Sequence, residues 1–444
     1  MSPLQIGFIG LLVFIIIMCL GVPIPFSMLL VGSFGCLILK DFSVARQIIV
    51  SELTTNFTSY SMTVGAMFGV MGFLANYTGV GAELFDVAEK FIGHLRGGLA
   101  MATQLACAAF GAICGSPPAT IGAFSAIAYP PMKKKGYDAG FAGAAIASGA
   151  QLSTIIPPSG TFIIYCLATN TSVGKMFISG VIPGILLCLM NCVAIYLYLG
   201  LHPEKAPKVE KATKEERRAA VKNGSLFQVL FVFLFSMGGM FVGLFTPSEA
   251  GAVGALGMTI VTIWKKQFSF KKLFDSCIEA AKLQCMVLTL ISFASVFSKF
   301  VNLSTIPTFV GGVCQNLLAG GMSHQVLAIC IIIMFFILGM FVDLVSVVVM
   351  TVPIFYPIIV TILGYSPLWF GVVITLLICL GGITPPVGVS VFMLKNACRD
   401  EDLTIANAFS CSWPYFFTFL IMCMLLIFFP AIVTWLPSVL FQNL

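Results

Sequence analysis

Charge is what this 444-residue chain has least of: Asp, Glu, Lys and Arg make up 9% of it, against about a quarter of a soluble domain. With 59% hydrophobic residues and a mean hydropathy of +1.05, it has too little polar surface to cover a water-soluble globule. Catalytic signatures are missing as well. No G-x-S-x-G, H-E-x-x-H or Walker A pattern occurs, so neither hydrolysis nor direct use of ATP has support, and no nucleophile and base pair suggests an intramembrane enzyme. The 15 cysteines form no C-x-x-C pair and no Cys/His cluster of zinc spacing; residues such as Cys107, Cys285 and Cys330 read as buried small hydrophobes. His94, His202 and His324 lie near segment ends without a second ligand and read as interfacial residues. A basic n-region is absent ahead of the apolar stretch from Pro3 to Leu20, which reads as a retained first span rather than a secretory signal.

The net charge of +6 does not indicate a nucleic-acid partner. Its main cluster, Lys205 to Lys222, interleaves Lys and Arg with Glu204, Glu210, Glu215 and Glu216 and contains no aromatic residue, the pattern of a solvated loop.

What the chain does contain is a succession of apolar stretches about 17 to 25 residues long, the length that crosses a bilayer core. The bilayer is its first partner. The first half, 1–200, reads as spans at 4–20, 24–39 and 61–77 and an amphipathic segment at 81–96. A stretch at 97–130 broken by Gly115-Ser116-Pro117-Pro118 follows, then a helix at 138–168 broken at Pro157-Pro158 and a span at 172–200. A charged loop, 201–223, leads into the second half, 224–444. That half repeats the order: spans at 224–245 and 247–264, a basic amphipathic segment at 268–282, a span at 283–299, a broken stretch at 325–360, a helix at 366–396 broken at Pro385-Pro386, and a span at 412–437.

Adding 228 to a position in the first half lands on its counterpart. Gly111 falls on Gly339, Gly136-Tyr137 on Gly364-Tyr365, Ile155 on Ile383, Pro157-Pro158 on Pro385-Pro386 and Gly160 on Gly388. With 97–130 and 325–360 read as re-entrant hairpins, each half crosses an odd number of times. The expected fold is therefore all-α and membrane-integral, with two inverted-topology repeats. Placing the 201–223 loop in the cytoplasm puts 19 of the 23 basic residues on that side, leaving Lys40, Arg46, Lys175 and Lys299 outside together with both termini.

Such breaks free backbone groups that lipid cannot satisfy, so they are tolerated only beside protein or a polar cavity. Freed carbonyls suit a small cation and freed amides suit an anion. The first set is GAICGSPPAT at Gly111–Thr120 with QLSTIIPPSG at Gln151–Gly160; the second is Gly339–Val349 with GGITPPVG at Gly381–Gly388. Asp343 is the only carboxylate between Glu279 and Asp400, and its expected place at membrane depth marks it as functional. Thr246-Pro247-Ser248-Glu249 reads instead as a capping box.

At these motifs the chain resembles the large membrane subunit of the tripartite ATP-independent periplasmic (TRAP) transporters. The matching stretches are GAICGSPPAT, Pro131-Met132 with Gly136-Tyr137, IIPPSGTFIIY at 155–165, GLFTPSEAGAVGA at 243–255, MFVD at 340–343 and GGITPPVG. The resemblance implies an elevator-type carrier of the ion-transporter superfamily kind, in a bacterial inner membrane, driven by Na+. It implies a small membrane subunit, expected as a separate chain because the first span starts at Pro3, and a periplasmic binding protein that delivers an organic acid such as sialic acid or a dicarboxylate. Carried over, one sodium site comprises Gly111, Ser116, Ser153, Ile156 and Pro158, and the second Gly339, Gly381, Thr384 and Val387. Ser116, Ser159 and Asp343 form the substrate neighbourhood. Where family members often read GSSVAT, this chain reads GSPPAT, so position 117 lacks a hydroxyl. Two other transport readings compete: a stand-alone dicarboxylate-type carrier without a binding protein, and a channel, for which the spans show no continuous polar line.

Overall fold

The computed structural model describes residues 1–441 apart from 208, 224, 225 and 343, and leaves the side chains of 223, 226 and 344 undescribed. Among the described residues every regular element is helical. The composition leads to this result, because an apolar chain that leaves water must satisfy its backbone internally, and a helix does so within one segment. The starts of the helices are written locally. Ser2 and Thr246 each accept the amide three residues on, and Gln5 and Glu249 reach back to complete capping boxes with proline at the first turn. The Glu249 carboxylate is accounted for by that cap, as expected from its sequence.

Elements of the first half have counterparts 228 residues later. The helices Gly98–Cys114 and Pro117–Ile127 correspond to His324–Phe341 and Leu344–Pro357, and Ala139–Ile155 with Gly160–Thr169 to Pro367–Gly382 with Val389–Cys398. Both Pro157–Pro158 and Pro385–Pro386 are cis. Among the described residues four helical stretches are long and apolar enough to cross a membrane, or up to eight when each sharply bent pair counts as one span.

Three expectations are corrected. The basic segment at 268–282 and the span at 283–299 are one 34-residue helix, Phe270–Leu303, because no Gly or Pro interrupts it. Its first-half counterpart is split into Phe42–Phe57 and Tyr60–Tyr77, bent by 53°. At that bend Thr58 donates its hydroxyl to the Thr54 carbonyl (2.8 Å) and Thr63 donates to Tyr60 (2.8 Å), so side chains compete for backbone acceptors. The final span is likewise two helices, Trp413–Phe428 and Ala431–Leu440, parted at Pro430, which has no amide hydrogen to donate. Cys107 is buried, but Cys285 and Cys330 are exposed, as are Cys19 and Cys277.

The two arms are stitched by amides at equivalent positions. Gln284 donates to the Met62 carbonyl (2.6 Å), satisfying an acceptor at the bend, and Asn56, its counterpart, donates to Ser295 of the long helix (3.0 Å). Close approach elsewhere depends on glycine: a Cβ on Gly32 would lie 2.8 Å from the backbone of Phe297.

The basic segments are tied down by several separate contacts. Lys265 pairs with Glu83 (2.6 Å) and donates to the Thr78 carbonyl (2.8 Å); Arg217 donates to the Lys90 carbonyl (3.0 Å). The Asp138 amide donates to the Lys205 carbonyl (2.8 Å), Asn407 donates to Asp138 (3.3 Å), and Lys133 bridges Asp400 and Asp402. Of the residues expected on the opposite side, Lys299 instead pairs with Glu52 (3.2 Å), and Lys175 lies 5.6 Å from the centre of the Phe441 ring.

Two outcomes follow. Gly32→Val forces the crossing at Phe297 apart and lowers stability by about 1–3 kcal/mol, whereas Gly312→Ala, in open space, does not; melting of the detergent-solubilised protein distinguishes them. The Lys133 ammonium, followed by the Tyr129 hydroxyl, holds the Asp400 carboxyl below its ordinary range against the opposing effect of burial. A lowered carboxylate pKa contributes stability that is complete above the unfolded value near 4 and is lost as pH falls through the folded one. Asp400→Asn therefore lowers the melting temperature at pH 7 and brings it toward wild type below pH 4; an equal deficit at both pH values contradicts the pairing.

Candidate functional site

The turn between Gly98–Cys114 and Pro117–Ile127 is set by Gly115, whose φ of 59° favours a residue without a Cβ. Its amide donates to the Gly111 carbonyl (2.8 Å), and its own carbonyl accepts from the Gly160 amide (3.4 Å). A Cβ there would strike the Pro158 carbonyl oxygen. The turn is thus pinned to the break of the neighbouring helix, and each supplies partners for backbone groups that the other frees.

Deeper in, a Cβ on Gly111 would come within 2.5 Å of the Ser153 Cβ, and one on Gly381 would collide with the Gly339 carbonyl carbon. The contacts Gly111–Ser153 and Gly339–Gly381 are counterparts under the 228-residue shift. Two of the three hydroxyls in the two sets point back along their own chain: Ser153 donates to Ala150 (2.6 Å) and Thr384 donates to Leu380 (2.6 Å). A hydroxyl that donates in this way keeps its lone pairs for a cation.

The remaining expected residues are placed as follows. Ser116 and Pro158 line a cavity of about 390 Å³, as does Gly339. Ile156 is half-buried and packs where a Cβ on Gly184 would otherwise sit; Val387 is half-buried and Thr384 buried beside it. Ser159 is fully buried, and its hydroxyl accepts from the Phe162 amide (3.3 Å) as a helix cap, away from the cavity lining. Asp343 lies outside the described residues.

The cavity is where the halves converge. Its walls include Cys114 to Pro118 of the first hairpin, Gly339 and Val345 of the second, Gln151, Pro158 and Thr161 of one broken helix, and Ile378, Gly382 and Ser390 of the other. The opposite wall comes from the arms, through Gly65, Phe68 and Gly69 on one side and Leu283, Gln284, Met286 and Val287 on the other. Among the described lining residues none is Lys, Arg or His. The polar side chains facing this space are hydroxyls and amides, so an anion bound here is held by neutral donors and by any cation that accompanies it.

Sequence reasoning missed Gln284 and Ser390 and treated Gln151 only as part of a motif. The available signal was polarity in an apolar run: Gln151 stands six residues before Pro157, and Ser390 four after Pro386. Gln284 carried no such marker, because the span expected at 283–299 concealed its place in a continuous helix.

Comparison with known proteins identifies relatives of the chain. Residues 11–432 match the model of the family described as the tripartite ATP-independent periplasmic transporter, DctM component. The chain is 31% identical over 380 residues to the C4-dicarboxylate TRAP transporter large permease of Pseudomonas aeruginosa, covering 85% of this chain and 86% of that one. It is 28% identical over 438 residues to the sialic acid TRAP transporter permease of Haemophilus influenzae, covering 98% and 68%. Its fold is similar to that of the YdaH transporter of Alcanivorax borkumensis, with a TM-score of 0.59 at 15% identity over 91% of this chain and 98% of that one. Family, helical architecture and convergent hairpins agree: the chain belongs to the DctM-component family of TRAP transporters and is a large, multi-pass membrane permease.

Proposed function

We propose that this permease imports a small organic acid by sodium-coupled secondary transport, receiving it from a periplasmic binding protein and working with a small membrane subunit. The observation that carries the reading is the cavity of about 390 Å³ at which both hairpin turns and both broken helices meet. In this reading the halves are inverted repeats in a bacterial inner membrane, with 1–200 and 224–444 as the two units. The basic segments around 201–223 face the cytoplasm and both termini face the periplasm. The similar proteins are named for acids, a C4-dicarboxylate and a sialic acid, which supports the substrate class.

One sodium ion sits among Gly111, Ser116, Ser153, Ile156 and Pro158, and a second among Gly339, Gly381, Thr384 and Val387. Support comes from the matched glycine contacts and from hydroxyls whose protons are already donated to their own helices. Ser116 and Asp343 are assigned to the substrate neighbourhood. Ser159 stays there as a positioning residue, since its hydroxyl caps the half-helix that starts at Gly160.

Elevator movement is supported by one face of Thr63–Tyr77. Gly65 and Gly69 lie against Gln284 and Ala280 of the long arm, and Gly72 lies against the Cys114 backbone at the hairpin turn. At Gly72 no side chain stands between the arm and the hairpin turn, and this is the contact across which the hairpin moves in this reading.

Uptake by the reconstituted complex is expected to need a sodium gradient, the small subunit and the loaded binding protein; robust uptake by this chain alone, indifferent to sodium, contradicts the reading. Thr384→Val, which removes a cation ligand at nearly constant volume, raises the half-saturating sodium concentration by about ten-fold or more; an unchanged sodium curve removes that site. Gly72→Val, placed against the Cys114 Cα, slows uptake while the sodium-dependent rise in melting temperature persists; wild-type uptake contradicts movement across this contact.

A further inference from the structure

Two polar groups on the cavity wall lose their polar character under the 228-residue shift. Gln151 corresponds to Cys379, and Ser390 corresponds to Phe162, both buried and without amide or hydroxyl. Yet Gln151 and Ser390, one from each broken helix, meet: the Gln151 amide donates to the Ser390 hydroxyl oxygen across the two halves. Gly382 keeps the space beside them open, since a Cβ there would lie 3.3 Å from the Ser390 hydroxyl and 3.6 Å from the Gln151 amide nitrogen.

We infer that the Gln151–Ser390 pair is the specificity-determining element for the acid, a reading that rests on the proposed carrier function and deepens it. The carboxylate of a small organic acid needs hydrogen-bond donors inside an otherwise apolar wall, and this buried pair stands on that wall. The pair offers the required chemistry. With one amide hydrogen given to Ser390, Gln151 retains a second N–H and Ser390 its own O–H, two donors on one edge for a carboxylate oxygen. The Gln151 carbonyl oxygen remains to accept from a substrate hydroxyl. No cationic side chain competes among the described lining residues, so neutral donors set the geometry and the bound sodium supplies the balancing charge.

The two residues are 2% and 6% exposed, so the pair is buried but opens onto the cavity it lines. A purely structural cross-link would hold the broken helices together whatever the acid. A recognition element affects the acid and leaves sodium alone.

The test uses the complete transporter, reconstituted with its small subunit and binding protein, and measures uptake of labelled succinate, malate, isethionate and N-acetylneuraminate. Ser390→Ala and Gln151→Leu are expected to raise KM for the transported acid about ten- to hundred-fold, with a smaller effect on kcat. Ser390→Thr, which keeps the hydroxyl, stays near wild type, and Gln151→Glu, which sets like charge against the acid, is the most impaired. Sodium-dependent thermal stabilisation without substrate is retained in all four variants, which also shows that they fold. If wild type moves an acid and the Ala and Leu variants keep its KM and its preference among the four, the inference is overturned while the carrier function stands. Equal loss of sodium stabilisation and uptake overturns it in favour of a structural cross-link. If wild type moves none of the acids under a sodium gradient, the proposed function fails and the inference with it.

Discussion

The constraint on which the rest depends is that a helix cannot stop inside an apolar medium without a partner for the backbone groups it frees. Helices stop around one cavity, and in the first half one stop meets another. The Gly115 carbonyl accepts from Gly160 and the Gly115 amide donates to Gly111, while the Gly339 and Gly381 backbones press together. Glycine occurs at these points because backbone must touch backbone, and a single Cβ would separate surfaces that supply each other's hydrogen bonds. The cavity that these stops surround is lined mostly by apolar atoms, with hydroxyls, amides and main chain set among them.

The described charges of the ion pairs stand away from this cavity. Ion pairs such as Lys133 with Asp400 and Lys265 with Glu83 lie among the basic segments, where they tie loops together. The cavity is lined among the described residues by neutral side chains and main chain. Neutral oxygens can exchange a weakly held cation for water at modest cost, whereas a fixed ion pair would hold its partner too firmly for turnover.

Much of this could be read from sequence because the strongest signals are covalent. Proline fixes its own backbone and glycine permits positive φ, so Pro157-Pro158, Pro385-Pro386 and Gly115 announced the breaks, and the two Pro-Pro pairs stand 228 residues apart. The capping box at Thr246 was equally legible, being written within four residues. The bend after Phe57 was not, because it is made by Thr58 and Thr63 hydroxyls that look no different from those in unbroken helices. Nor was the other wall of the cavity: Gln284 approaches Met62 only through the folding of distant segments, and no local pattern reports that. The pairing of Gln151 with Ser390, 239 residues apart, is of the same kind.

The central claim is that two equivalent backbone-rich sites, one per half, each take a sodium ion, and equilibrium binding of radioactive sodium to the purified permease tests it most directly. The account predicts saturable binding of two ions per chain, falling to one when Thr384→Val removes the second site and the first is left intact. Absence of saturable sodium binding, or two ions retained in that variant, would contradict it.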